Sequence, residues 1–190
     1  MNWSEVLRSD LSKLSPPAVA PGKTLVAKLK EGERRIVTIL FLDIEGFTAM
    51  SEKLDPEDVQ IIIDHSFKIL TNEVEKYQGY IDKYEGDRIM ALFGSREASE
   101  QDCECALRAA LGMKEKFAEV NKILADRNIA IGLRIGVNTG LVVTGAVGKG
   151  RDQDFTVMGD AVNLASRLEA AAPPGEILIS EEVHRAAGDL

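Results

Sequence analysis

The chain is poor in the residues that disulfide and metal-thiolate scaffolds need: its 190 residues include two cysteines and two histidines. Cys103 and Cys105 are separated by one residue beside a stretch of helical periodicity, where side chains two apart point away from each other. A structural zinc site needs four ligands at workable spacing, and His65 and His184 do not supply it. The cysteines therefore read as reduced thiols, at least one of them packed in a core. Long apolar runs are also missing. None approaches the roughly 20 residues of a membrane-spanning helix, so no membrane insertion is expected. Met1-Asn2-Trp3-Ser4 lacks the basic-then-apolar layout of a secretory leader, and a cytoplasmic location is the expectation. Excess positive charge is absent as well: 23 Lys plus Arg stand against 31 Asp plus Glu, a formal net charge of −8. That balance disfavours a duplex-binding surface, and no nucleic-acid partner is expected. Small nucleotides are not excluded, because a divalent metal can bridge acidic side chains to phosphates.

What is present is a mixture of 45% hydrophobic and 28% charged residues, the balance of a globular domain with a core. Residues 1–33 differ in texture from the rest. Trp3, Leu7, Leu11 and Leu14 fall at helical spacing, and Ser15-Pro16-Pro17 and Pro21-Gly22 end the pattern. This reads as a short helix and a linker ahead of a domain over 34–190. Residues 36–42 form a continuous apolar run ending at Asp43, the look of a strand buried on both faces. From Pro56, with Asp55 as cap, Val59, Ile62, Ile63, Leu70 and Val74 recur at helical steps. Residues 80–84 and 88–93 read as a hairpin through Glu85-Gly86-Asp87, and 99–124 as a second long helix. Residues 129–138 and 141–147 read as two strands joined by a tight Asn138-Thr139-Gly140 turn. A helix over 160–171, a strand over 176–179 and a final helix complete the chain. The order β-α-β-β-α-β-β-α-β-α predicts an α+β fold: a ferredoxin-like βαββαβ core, its sheet mainly antiparallel, with helices on one side.

Three places in this order can carry chemistry. Asp43 closes an apolar strand before Ile44-Glu45-Gly46-Phe47-Thr48, where a carboxylate can hold a metal while turn amides face a polyphosphate. Taken alone, it reads better as a loop aspartate that caps the following turn. Asp87 sits in the hairpin; if the first strand lies beside that hairpin, two carboxylates share one sheet edge and repel unless cations sit between them. Such pairs hold two metals in displacement at phosphorus. Asn163 and Arg167 are four apart on a helix and share a face, where they can grip a phosphate or form an ordinary exposed polar surface. Gly145-Ala146-Val147-Gly148-Lys149-Gly150 fails as a phosphate loop, because no glycine stands five before Gly148 and Gly150 occupies the Ser/Thr position.

Phe41-Leu42-Asp43-Ile44-Glu45-Gly46-Phe47-Thr48, Lys83-Tyr84-Glu85-Gly86-Asp87, Gly136-Val137-Asn138-Thr139-Gly140 and Gly159-Asp160-Ala161-Val162-Asn163-Leu164-Ala165-Ser166-Arg167 together resemble the successive signatures of the class III adenylate and guanylate cyclases. The resemblance covers roughly 34–187 and is nearest the bacterial and bicarbonate-responsive adenylate cyclases. It implies that Asp43, Asp87 and the carbonyl of Ile44 hold two divalent cations, Mg2+ or Mn2+. It implies that Gly46, Phe47 and Thr48 meet the phosphates, and that Asn163 and Arg167 act at the transition state of a partner subunit's site. Each site would then be a composite across a homodimer axis. Lys83 matches the lysine that recognises adenine, and its partner position falls at Thr156. Lysine can donate to adenine N1 and the threonine hydroxyl can accept from the exocyclic amine, whereas lysine facing guanine N1–H sets donor against donor. The implied reaction converts ATP to cyclic AMP and pyrophosphate. Residues 148–153 are expected to be a flexible arm reaching across the dimer. The family's final strand pair, with its triphosphate-binding lysine, is expected to be missing before Leu190. A non-catalytic cyclase-like module that binds nucleotide or dimerises is the competing reading. Retention of Asp43, Asp87, Asn163, Arg167, Lys83 and Thr156 argues against it.

Overall fold

The computed structural model describes residues 3–14, 32–147 and 154–188. The prolines of the expected linker and the arm expected over 148–153 lie outside them. The organising element is β1 (Arg34–Glu45), longer at both ends than the apolar run suggested, with eight consecutive buried residues from Val37 to Ile44. It is flanked on one side by β3 (Arg88–Phe93) and on the other by β4 (Gly132–Val147), both antiparallel. A hairpin joins β2 (Tyr80–Glu85) to β3 through Gly86 and Asp87, and β5 (Asp154–Met158) pairs with the far end of β4. The strand order is β2-β3-β1-β4-β5, and the short β6 (Ile177–Ile179) runs parallel to β4. Within it, β4-β1-β3-β2 is the antiparallel order of the expected βαββαβ core.

The helices follow their sequence signals. After α2 (Phe47–Ser51), α3 (Pro56–Lys76) starts on a proline with Glu57 and Asp58 in its first turn, where carboxylates meet the positive helix end. Its partner, α4 (Asp102–Leu124), begins three residues later than expected, where Asp102 accepts a hydrogen bond from the Ser99 amide at 2.8 Å. Cys103 is buried in α4 with its sulfur 3.3 Å from the Thr38 hydroxyl. Cys105 is half-buried, and burial pushes its thiol pKa up. The N-terminal helix α1 (Trp3–Leu14) packs on α3 and α4, burying Leu7 and Leu11 completely. Ser4 donates to Asp58 at 2.6 Å, and the Arg127 guanidinium lies 4.3 Å from the Trp3 ring. These helices and α6 (Glu181–Ala187) cover one sheet face through Leu40, Leu42, Ile44, Ile135 and Val137. No helix of the described residues is long and apolar enough to cross a membrane.

Two features differ from the sequence reading. First, α5 (Asp160–Ala171) lies on the opposite face, over Val37, Ile39, Phe41, Met90 and Leu92, so the helices are not all on one side. Second, Asn138, Thr139 and Gly140 form no turn. They lie within β4, opposite Ile39, Thr38 and Val37. The predicted strand count survives only because β5, which the sequence reading missed, takes the place of the strand expected over 141–147.

The physical reason for these turn-like residues inside a strand is the close approach of α5. A β-carbon on Gly136 would come within 2.2 Å of the Glu169 amide nitrogen and 2.4 Å of the Ala165 carbonyl oxygen. One on Gly140 would come 2.8 Å from the Ala161 β-carbon. Between them, buried Asn138 donates its side-chain amide to the Ala161 carbonyl at 2.8 Å. Helix and strand can touch backbone to backbone only where no side chain intervenes. Gly136→Ala is therefore expected to destabilise the fold by about 3 kcal/mol through overpacking. Gly132→Ala in the same strand, where the nearest atom is 3.7 Å from the new β-carbon, should cost less than about 1 kcal/mol. Urea unfolding of both variants checks the difference.

Candidate active site

Asp43 lies near the end of β1 with 7% of its surface exposed, facing the α5 side of the sheet. Its cross-strand partners are both arginines: Arg88 on β3 and Arg134 on β4. Arg134 donates to Asp43 Oδ2 at 2.5 Å. Arg88 donates to Glu169 of α5 at 2.5 Å and to Ser166 at 3.1 Å. The other Glu169 oxygen lies 3.9 Å from Arg134 Nε. Two nearly buried carboxylates thus meet two guanidiniums that are about a third exposed, and a buried carboxylate is tolerable only when so paired. Burial raises the Glu169 pKa, with Arg88 acting in the opposite sense. The hydrogen bond to Asp43 raises the Arg134 pKa, against the effect of burial.

Asp87 is in the β2–β3 turn, and its carbonyl accepts a hydrogen bond from the Ile44 amide at 3.2 Å. That bond stitches the hairpin to the end of β1, bringing Asp43 and Asp87 to one sheet edge. The next residues turn sharply. Gly46 has φ +86, and a β-carbon there would meet the Ala130 carbonyl oxygen at 2.8 Å, so both conformation and space call for glycine. Phe47 and Thr48 then open α2.

Among the described residues, no three His, Cys, Asp or Glu side chains converge on one point. The available donors are two carboxylates, supplemented by backbone carbonyls such as that of Ile44, all hard oxygens that suit Mg2+ or Mn2+ rather than thiolate-seeking ions. Asp43 accepts from Arg134 through Oδ2, so Oδ1 is the oxygen that would meet a cation. The donor set fits a hard divalent cation.

Lys83 reaches the same face through an irregularity. Ile81 packs against the helical layer, and strict alternation would turn Lys83 there too. A bulge between Ile81 and Lys83 instead sets Lys83 opposite Met90, whose side chain belongs to the α5-side cluster. Lys83 is half-buried, with its ammonium 3.6 Å from Glu85. Thr156 belongs to β5, at the other end of the strand order, yet its hydroxyl donates to Asp82 at 2.5 Å. Four flat strand spacings would separate β2 and β5 by about 19 Å. The β4–β5 ribbon therefore curls back over the sheet, and Val157 packs in one cluster with Met90 and Leu92.

Among the described residues, Asn163 and Arg167 form no hydrogen bond or ion pair with Asp43 or Asp87. Both are exposed on α5, on the side opposite Ala165 and Glu169. Arg167 forms no ion pair with any described residue. Sequence reading missed Asp82, Arg134 and Glu169. Glu169 left a signal, since it falls on the inward stripe with Val162 and Ala165 at helical spacing, an unusual position for a carboxylate. Arg134 becomes visible only once the β1–β4 register is known.

Residues 29–188 match the adenylate and guanylate cyclase catalytic domain family. The chain is 38% identical over 158 residues to an adenylate cyclase of Anabaena cylindrica, covering 80% of this chain and 30% of that protein. In structure it is similar to the adenylyl cyclase CyaB of P. aeruginosa, with TM-score 0.77 and 34% identity over 83% of this chain and 82% of that one. It is as similar to the guanylyl cyclase Cya2, with TM-score 0.77 and 35% identity over 84% and 82%. The chain spans less than a third of the length of the curated relatives it matches. Enzymes named for adenine and for guanine nucleotides thus stand at similar distances, while sequence and fold agree on the larger grouping: this chain belongs to the class III adenylate and guanylate cyclase catalytic domain family.

Proposed function

We propose that this domain is an adenylate cyclase that converts ATP to 3′,5′-cyclic AMP and pyrophosphate at a site shared by two copies of the chain. The observation that carries the reading is the separation of its two halves. The acidic pair, Asp43 and Asp87, occupies one sheet edge, while Asn163 and Arg167 are exposed on α5 and bond to neither of them. In this reading a single chain leaves each half without the other. A second copy related by a dyad supplies what each lacks, and does so twice.

In this reading Asp43, Asp87 and the Ile44 carbonyl hold two divalent cations, Mg2+ or Mn2+. When bound, these lower the pKa of the ribose 3′-hydroxyl and neutralise the triphosphate. The backbone at Gly46, Phe47 and Thr48 faces the phosphates. The 3′-oxygen loses its proton to solvent water and attacks the α-phosphorus, and the bond from that phosphorus to the bridging oxygen breaks as pyrophosphate departs. Asn163 of the second copy orients the ribose. Arg167 of that copy stabilises the charge developing on the phosphate, an interaction aimed at the transition state. Lys83 and Thr156 read the base: an ammonium donates to adenine N1, and a hydroxyl accepts from the 6-amino group. The curled ribbon that carries Thr156 to the residue beside Lys83 supports the pairing of these two positions.

Three outcomes are expected. Cyclic AMP should form from ATP with Mg2+ or Mn2+, at a specific activity that rises with protein concentration, and GTP should be a poorer substrate. Asp43→Asn, which keeps a side-chain oxygen to accept from Arg134, should remove turnover with the fold retained by circular dichroism; full activity in that variant would sink the metal assignment. An equal mixture of Asp43→Asn and Arg167→Ala chains should regain about a quarter of wild-type activity, because half the dimers then hold one whole site of two. No recovery, with mixed dimers demonstrated by native mass spectrometry, counts against a shared site.

A further inference from the structure

We infer that Asp82 sets the preference for ATP over GTP by fixing the direction of the Thr156 hydroxyl. This rests on the reading of Lys83 and Thr156 as base-recognition residues. A threonine hydroxyl has one proton and two lone pairs, and it rotates to suit its partner. Free to rotate, it can accept from the 6-amino group of adenine or donate to the 6-oxo group of guanine. Alone, it discriminates poorly.

In this fold it is not free. Thr156 is 6% exposed and donates its proton to Asp82 Oδ2 at 2.5 Å. An ionised carboxylate only accepts, so the proton is committed to it and the remaining capacity of the hydroxyl is for accepting. A ligand facing those lone pairs must donate. Adenine does so through its 6-amino group. Guanine would bring an oxygen against an oxygen, close to the negative charge of Asp82. Lys83, the next residue in the chain, completes the pattern with the opposite polarity, since an ammonium only donates. Donor and acceptor side by side match N1 and the 6-amino group of adenine. They mismatch N1–H and the 6-oxo group of guanine at both positions.

The bulge explains how adjacent residues serve one site. In a regular strand Asp82 and Lys83 would face opposite sides of the sheet. The extra residue lets Asp82 meet Thr156 while Lys83 turns to the face of Met90. Asp82 is a positioning residue: it acts through Thr156 and need not touch the nucleotide.

The test is displacement of a ribose-labelled fluorescent ATP by ATP or GTP from the full chain with Mg2+. Wild type should favour ATP. Asp82→Ala should lower the ATP-to-GTP affinity ratio by about tenfold, the scale of one hydrogen bond gained or opposed, chiefly by strengthening GTP. In a Thr156→Val background the same change should move the ratio by less than about twofold, since the two positions act as a unit. A merely structural role would weaken both nucleotides alike and leave the ratio in place. If Asp82→Ala does not fold, near-isosteric Asp82→Asn, whose amide can accept or donate, should give an intermediate ratio. An unchanged ratio in folded Asp82 variants, while Thr156→Val or Lys83→Glu still moves it, overturns the role of Asp82. If neither Thr156→Val nor Lys83→Glu moves it, or the labelled nucleotide does not bind, the base-recognition reading itself fails.

Discussion

A carboxylate buried at the end of a central strand, with an arginine opposite it on each neighbouring strand, is the constraint around which this domain is organised. Asp43 cannot be buried without a cation, and the β1 register with β3 and β4 supplies Arg88 and Arg134. Two arginines against one aspartate would leave excess positive charge, and Glu169 corrects it from α5. The helix must come close enough to deliver that carboxylate, which is why β4 carries glycine at 136 and 140. Register, helix placement and glycine pattern are thus one solution to a single electrostatic problem.

Much of the fold was legible because its signals were local. The apolar run of β1, the periodicity of α3 and α4, and the Glu85-Gly86-Asp87 hairpin each report their own element. The failures came where composition answered to a distant partner. Asn138-Thr139-Gly140 has turn chemistry, but its small and polar residues serve contact with Ala161, about twenty residues on. The 154–158 strand exists because the end of β4 outruns β1 and offers an unpaired edge. Its Phe155-Thr156-Val157-Met158 run is β-prone, but it is short and directly follows a polar glycine-rich stretch.

The site divides along the same line. Asp43, Asp87, Lys83, Asn163 and Arg167 sit in recognisable strings and Thr156 follows from them as the partner position of Lys83, so all six could be singled out beforehand. Asp82 and Arg134 could not, and Glu169 only by its inward place on the helix, because each matters through a side chain 74 to 91 positions away. A charged residue in a strand has the same appearance whether it faces solvent or a buried counter-ion. The bulge at Asp82 is likewise silent in sequence, since it appears only as a shift of pairing between β2 and β3.

The length of β1 and the position of its partners bear on how the chain reaches this state. Val37 to Ile44 are buried without interruption, yet Asp43 and its partner Arg134 are 91 residues apart. During synthesis β1 emerges ahead of the strand that seals its second edge by about ninety residues, a delay of several seconds at ordinary elongation rates. Non-local pairing of this kind slows folding. Until it is complete, β1 is an exposed apolar edge of the sort that invites association with other chains. Its interior threonine and terminal aspartate interrupt an otherwise adhesive segment, so the residue that anchors the finished site also limits the hazard of the unfinished one.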